Sequence, residues 1–152
     1  MFLRFLASFV ATLGVGKIPL APGTFGSLLA LLIWWFVPIH AATIVSVFFI
    51  GWVGTHFYER WYSTHDPKEV VVDEVIGMWI TLYLAPVRLS TGLMGFIFFR
   101  IFDIWKPFPI GWVDRKVPGA LGTILDDICA GLLAWVCLYY VDGIMESYGL
   151  SF

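Results

Sequence analysis

Three groups of charged residues stand inside otherwise apolar stretches: Asp73 and Glu74 in VVVDEVIGMW, Arg100 and Asp103 in FRIFDIWKPFPI, and Asp126 and Asp127 in GTILDDICAGLLA. A carboxylate in a helix this apolar costs a few kcal/mol on insertion scales, so each of them needs compensation. Carboxylates with no histidine or thiolate beside them are hard oxygen ligands, suited to Mg²⁺ rather than to zinc or copper. Magnesium is usually shared between a few carboxylates and a substrate phosphate, which gives the cations of the chain a matching task. Lys17, Arg100, Lys106 and Arg115 can hold phosphoryl oxygens and offset the charge that develops in phosphoryl transfer. The segment GVGKIPLAPGTFGS places Thr24 and Ser27 just ahead of an apolar helix, on a Gly- and Pro-rich stretch whose N–H groups suit an anion.

Plain structural roles compete with this chemistry. The helix macrodipole favours acids in a first turn, which would account for Asp73, Glu74, Asp126 and Asp127. Arg100 and Asp103, three residues apart, suit an ion pair, and the Gly/Pro stretch also reads as an interfacial turn. What these roles leave unexplained is the convergence of all three groups at one depth on one face.

Elimination narrows the reaction. A phosphocysteine enzyme needs Cys-x5-Arg, but Trp135 stands six residues after Cys129 and no arginine follows Cys137. Asp126-Asp127-Ile128 is not the Asp-x-Asp-Thr/Val of a phosphoaspartate enzyme, and His40, His56 and His65 read as turn, helix-end and loop residues rather than as a catalytic set. Cys129 and Cys137 fit neither a redox pair nor a zinc knuckle and read as apolar filler. Metal-assisted attack by water remains, with a carboxylate as general base.

The elements that must position these groups belong to a membrane protein. Of 152 residues 60% are hydrophobic and 13% charged, with a mean hydropathy of +0.88. That length implies a single domain over 1–152, with its chemistry inside the bundle. A net charge of −2 argues against nucleic acid; no protein partner can be named. Residues 1–14 resemble a signal peptide but lack a small-x-small cleavage site, so they read as a retained interfacial helix. Apolar stretches predict about five further helices, near 26–37, 41–58, 70–84, 89–105 and 123–145. The fold class is therefore all-α, a compact polytopic membrane bundle. Only the second and last of these five are clearly long enough to cross about 30 Å of hydrocarbon.

Short turns at 38–42 and 85–90 make two hairpins, each returning to its starting face. Arg4, Lys17, Arg60, Lys68, Lys106, Arg115 and Lys116 share that face and only Arg88 lies opposite, so it is cytoplasmic by the positive-inside rule. The acids fall on the same side. Asp127, Ala130, Gly131 and Ala134 form a small-residue stripe, and Gly77 follows Asp73 by one turn, so the acids face neighbouring helices.

Four blocks, GKIPLAPGTFGS, VVVDEVIGMW, FRIFDIWKPFPI and GTILDDICAGLLA, in this order and spacing, resemble bacterial phosphatidylglycerophosphatase A over about residues 14–135. The resemblance implies a Mg²⁺-dependent, multi-pass inner-membrane enzyme of phospholipid biosynthesis. Such an enzyme removes the terminal phosphate of phosphatidylglycerophosphate, a lipid substrate, at the cytoplasmic surface. It assigns Asp73 and Glu74, then Arg100, Asp103 and Lys106, then Asp126 and Asp127 to the family's blocks. On that basis Glu74, Asp103 and Asp127 are expected to bind metal, and Asp73 or Asp126 to orient the attacking water. Lys17, Thr24, Arg100, Lys106 and Arg115 are expected on phosphate, with Asp114 and Arg115 open between substrate contacts and loop charges. A CDP-alcohol phosphotransferase would need Asp-x-x-Asp-Gly-x-x-Ala-Arg, which is missing. A small transporter or assembly protein would place its charges nearer mid-membrane.

Overall fold

The computed structural model describes residues 1–63 and 67–149; His65 lies outside them. Among the described residues the fold is all-helical. In order come α1 (Phe2–Thr12), a 3₁₀ turn (Val15–Lys17), α2 (Pro22–Phe36), α3 (Ala41–Tyr62) and α4 (Val72–Thr81). They are followed by α5 (Leu89–Trp105), α6 (Ile110–Lys116) and α7 (Gly119–Ser147).

Among the described residues seven helices replace the six expected, and the added one is α6. Its seven residues lie between Pro109 at the N-cap and Pro118, too short a run to show a hydrophobic period. Two other departures bear on the acids and the loop. Helix α2 begins at Pro22, four residues before the expected start, because a proline at the first helical position gives up only an N–H that has no partner there. Thr24 and Ser27 therefore sit inside the helix rather than ahead of it: the Thr24 N–H donates to the Ala21 carbonyl at 3.0 Å and the Ser27 hydroxyl to the Gly23 carbonyl at 2.9 Å. Helix α7 starts at Gly119, two turns before Asp126, so its first turn holds no acid. The macrodipole account of Asp126 and Asp127 thus fails, while Asp73 and Glu74 do occupy the first turn of α4.

Helix α4 is the centre of the bundle. It packs most extensively on α7 and next on α2, and Ile76 and Met78 on it are wholly buried. Phe99 of α5 and Ala130, Ala134 and Leu138 of α7 complete the core around Leu82. Two indole N–H groups are satisfied by main-chain carbonyls, Trp79 by Ala30 and Trp135 by Tyr83, each at 3.1 Å. Helix α1 lies on α3, and the Val71 N–H donates to the Ala11 carbonyl at 2.9 Å, which ties α1 to the start of α4.

Many large apolar side chains face outward. Phe5 is 68% exposed, Ile104 71% and Tyr139 68%. Helices α3 and α7, of 22 and 29 residues, are long and apolar enough to cross a membrane, and only 22% of each apolar window is buried within the fold. A core helix of a soluble bundle would be mostly covered. With 10 and 15 residues, α4 and α2 extend roughly 15 and 22 Å, short of a full span.

Candidate active site

The acids meet in one pocket of about 270 Å³. The first turn of α4 contributes Asp73 and Glu74, the last turns of α5 Arg100 and Asp103, and α7 Asp126 and Asp127. Lys106 closes α5 in a left-handed conformation (φ 47°), which turns the chain toward α6. The N-terminus of α2 completes the wall with Ala21, Pro22 and Gly23. A methyl group on Gly23 would collide with the Glu74 carboxylate and fall 3.1 Å from Nη1 of Arg100, so a larger residue here would have to displace both side-chain ends. That end carries the positive pole of the α2 dipole, a favourable neighbour for Glu74.

The charges divide into two arrangements. Along one side cations and carboxylates are paired: Arg100 Nη1 lies 2.6 Å from Asp103 Oδ2, and Lys106 Nζ lies 2.5 Å from Asp126 Oδ2 and 2.6 Å from Asp114 Oδ1. Burial alone would lower the Lys106 pKa, but its hydrogen bonds to Asp114 and Asp126 more than reverse this and hold the ammonium above its ordinary range. The same hydrogen bond from Lys106 holds the Asp114 carboxyl below its usual value.

Beyond these pairs, Asp73, Glu74 and Asp127 bring one carboxylate oxygen each to within 4.8 Å of the others. Asp73 and Asp127 are each 5% exposed, and Glu74 Oε2 is buried with no hydrogen-bond partner. Three carboxylates this close repel one another in low dielectric, and an orphaned buried oxygen adds its own desolvation cost. A divalent cation with oxygen ligands answers both, so the residues fit a hard metal ion. Two neighbouring acids are steadied by the main chain: the Glu74 N–H donates to Asp73 Oδ1 at 3.0 Å, and the Asp127 N–H to Asp126 Oδ1 at 3.1 Å.

Asp73, Glu74, Arg100, Asp103, Lys106, Asp126 and Asp127 thus share one pocket, as sequence reasoning expected. Within it Asp73 joins the close cluster, while the Asp103 carboxylate is engaged by Arg100. Lys17, Thr24 and Arg115 do not line it; Lys17 and Arg115 are exposed and Thr24 is half-buried. Lys68 and Thr123 line it and were not singled out. Thr123 lies one turn before Asp127 on α7, so the helical period pointed to it; no motif marked Lys68.

A helical bundle that buries carboxylates beside arginine and lysine in one open pocket is built as an enzyme for phosphoric esters. The comparisons with known proteins agree: the family model for phosphatidylglycerophosphatase A matches residues 8–142. The chain belongs to the phosphatidylglycerophosphatase A family, and is a phosphatase. It is 40% identical over 134 residues to a phosphatidylglycerophosphatase A of Escherichia coli, covering 84% of this chain and 78% of that one. A Haemophilus influenzae protein of the same name is 33% identical over 148 residues, covering 85% and 83%. A putative phosphatidylinositol-3-phosphatase of Bacteroides thetaiotaomicron is 34% identical over 139 residues, covering 82% and 86%. No solved structure matches the chain.

Proposed function

We propose that the protein hydrolyses the terminal phosphomonoester of phosphatidylglycerophosphate to phosphatidylglycerol and phosphate, with Mg²⁺ as its metal, as a step of glycerophospholipid synthesis. It works as a multi-pass protein of the bacterial inner membrane with its pocket toward the cytoplasm. Two relatives carry the name of this activity, and the apolar outer surface with two span-length helices supports the membrane setting. The seven cations named above, six of them exposed and Lys106 partly buried, favour a cytoplasmic pocket face. The observation that carries the reading is the meeting of Asp73, Glu74 and Asp127 in a pocket that also holds Arg100 and Lys106.

Asp73, Glu74 and Asp127 would hold the metal. Bound there, Mg²⁺ supplies Lewis-acid stabilisation of the phosphoryl charge. Arg100 and Lys106 bind phosphoryl oxygens, with Asp103 and Asp114 fixing where the two cations stand. Asp126 has each oxygen engaged once, by Lys106 and by the Asp127 N–H, and a carboxylate has further lone pairs with which to orient water and accept its proton. The water oxygen bonds to phosphorus as the ester P–O bond breaks, and the glycerol oxygen leaves to be protonated.

The substrates in the relatives' names share a design: a diacylglycerol phosphodiester bearing a polyol, and a phosphomonoester on that polyol. The test is phosphate release by detergent-purified protein from phosphatidylglycerophosphate, with and without chelator. Release that stops in EDTA and returns with Mg²⁺ is expected, with Ca²⁺ a poorer substitute because its coordination is longer and looser. Full activity in excess EDTA overturns the metal; release from phosphatidylinositol 3-phosphate alone overturns the substrate.

A further inference from the structure

Three cations line the pocket, and they differ in kind. Arg100 and Lys106 are partly buried, with 17% and 31% of their side chains exposed, and both already sit on carboxylates. Lys68 is exposed at the rim, between α3 and α4, and among the described residues it has no hydrogen-bond or ion-pair partner. The acid cluster and the two inner cations suffice for the reacting phosphomonoester. A cation at the mouth of the pocket remains for a second anion.

The substrate class supplies that anion. On the lipid-phosphatase reading above, on which this inference rests, the headgroup carries a phosphodiester one polyol away from the reacting phosphorus. When the monoester reaches the acid cluster, the diester trails toward the pocket mouth, where Lys68 stands. A lysine suits it better than a fixed fork would, because a diester with one charge, tethered to acyl chains, is met by a flexible point charge.

We propose that Lys68 binds the phosphodiester of the lipid headgroup and so selects phosphomonoesters carried on such a headgroup over those attached directly to diacylglycerol. Lys68 is a specificity residue: its contact is the same in ground and transition states, so it acts on KM rather than kcat.

The experiment compares phosphatidylglycerophosphate with phosphatidic acid, which has the monoester and no diester, as substrate or as competing ligand in mixed micelles. In Lys68→Ala the KM for phosphatidylglycerophosphate is expected to rise about three- to fivefold, the scale of one exposed charge contact. Its kcat and the affinity for phosphatidic acid stay unchanged, and Lys68→Arg, which keeps the charge but not the flexible point, restores the KM in part. Raising the salt should weaken the wild type toward phosphatidylglycerophosphate more than it weakens Lys68→Ala, because the lost contact is the screened one. Equal effects on both lipids, or none on either, with the wild type active, would overturn the role of Lys68 alone. A wild type that releases phosphate from neither lipid overturns the underlying reading and this inference with it.

Discussion

Gly77 and Gly131 meet backbone to backbone: a methyl group on Gly131 would collide with the Gly77 carbonyl, and one on Gly77 would fall 2.7 Å from the Asp127 carbonyl oxygen. Thr81 locks this crossing by donating its hydroxyl to both carbonyls, Gly77 at 3.0 Å and Gly131 at 3.3 Å. Each glycine stands one turn beyond an acid of the cluster, Asp73 on α4 and Asp127 on α7, so the approach of the two helices sets the spacing of the carboxylates. Gly131→Ala is expected to cost about 1–3 kcal/mol by overpacking. It should also weaken Mg²⁺ activation. Thermal melting and a Mg²⁺ titration of phosphate release check both; full metal affinity in a destabilised variant would detach the crossing from the site.

Asp127→Asn separates metal holding from folding. It removes one charge from three mutually repelling carboxylates, so the metal-free protein should melt no lower than wild type, and activity should fall at least about a hundredfold. Chelator should lower the melting temperature of wild type and leave that of Asp127→Asn nearly unchanged.

Arg100 and Asp103 form a pair at 2.6 Å with both side chains largely covered. Removing Arg100 alone leaves a carboxylate without its partner, and Arg100→Ala with Asp103→Ala should recover most of the lost stability. Activity should not return in the double variant, since the proposed phosphate contact of Arg100 is gone in both. Arg100→Lys should fold normally and turn over slowly, because a point charge lacks the planar two-pronged grip. Wild-type turnover in Arg100→Ala would make the residue one of packing only.

Lys106 and Asp114 give the pH dependence a sign. The Lys106 pKa is raised, so its contribution is whole below the ordinary lysine value of 10.5 and is lost only as pH climbs through the raised one. The Asp114 pKa is lowered, so its contribution is present above 3.8 and is lost only as pH falls through a lower value. The contact therefore persists through the whole neutral range. Lys106→Arg, charged at every pH tested, should leave the shape of the kcat/KM profile between about pH 6 and 9 unchanged. Asp114→Asn should reduce activity several-fold and Asp114→Glu restore it, measured as phosphate release.

The acids and their nearest cations were legible because charge in an apolar chain has few reasons to exist. Asp73, Glu74, Asp103, Asp126 and Asp127 stand out against the residues on either side of them, and the small-residue stripe on α7 told which way its acids face. Polar connections carried no such contrast. Pro22 and Gly23 look like loop residues, although a proline can open a helix and a glycine can admit a neighbour's carboxylate. Helix α6 is shorter than two hydrophobic repeats, so the reason for Asp114, its bond to Lys106, came only with the fold. Lys17, Thr24 and Arg115 were placed by composition of their loops, and composition does not encode the direction in which a loop turns.

The unequal lengths of α3 and α7 bear on how the protein sits in lipid. In the membrane setting proposed above, α3 with 22 residues matches a bilayer of ordinary thickness, while α7 with 29 is about two turns too long for it. The excess has a place: α7 runs two turns before reaching Asp126, and α6 packs against this helix. Hydrophobic matching is then governed by α3 and the lower part of α7, and the partial helices α2 and α4 impose no thickness of their own. A bilayer thinned or thickened by a few Å would be met by tilt, each ångström at a fraction of a kcal/mol, with α7 held by its packing on α4. On the proposed function, the spacing of the carboxylates then follows from the α4–α7 crossing more than from the acyl chains around it.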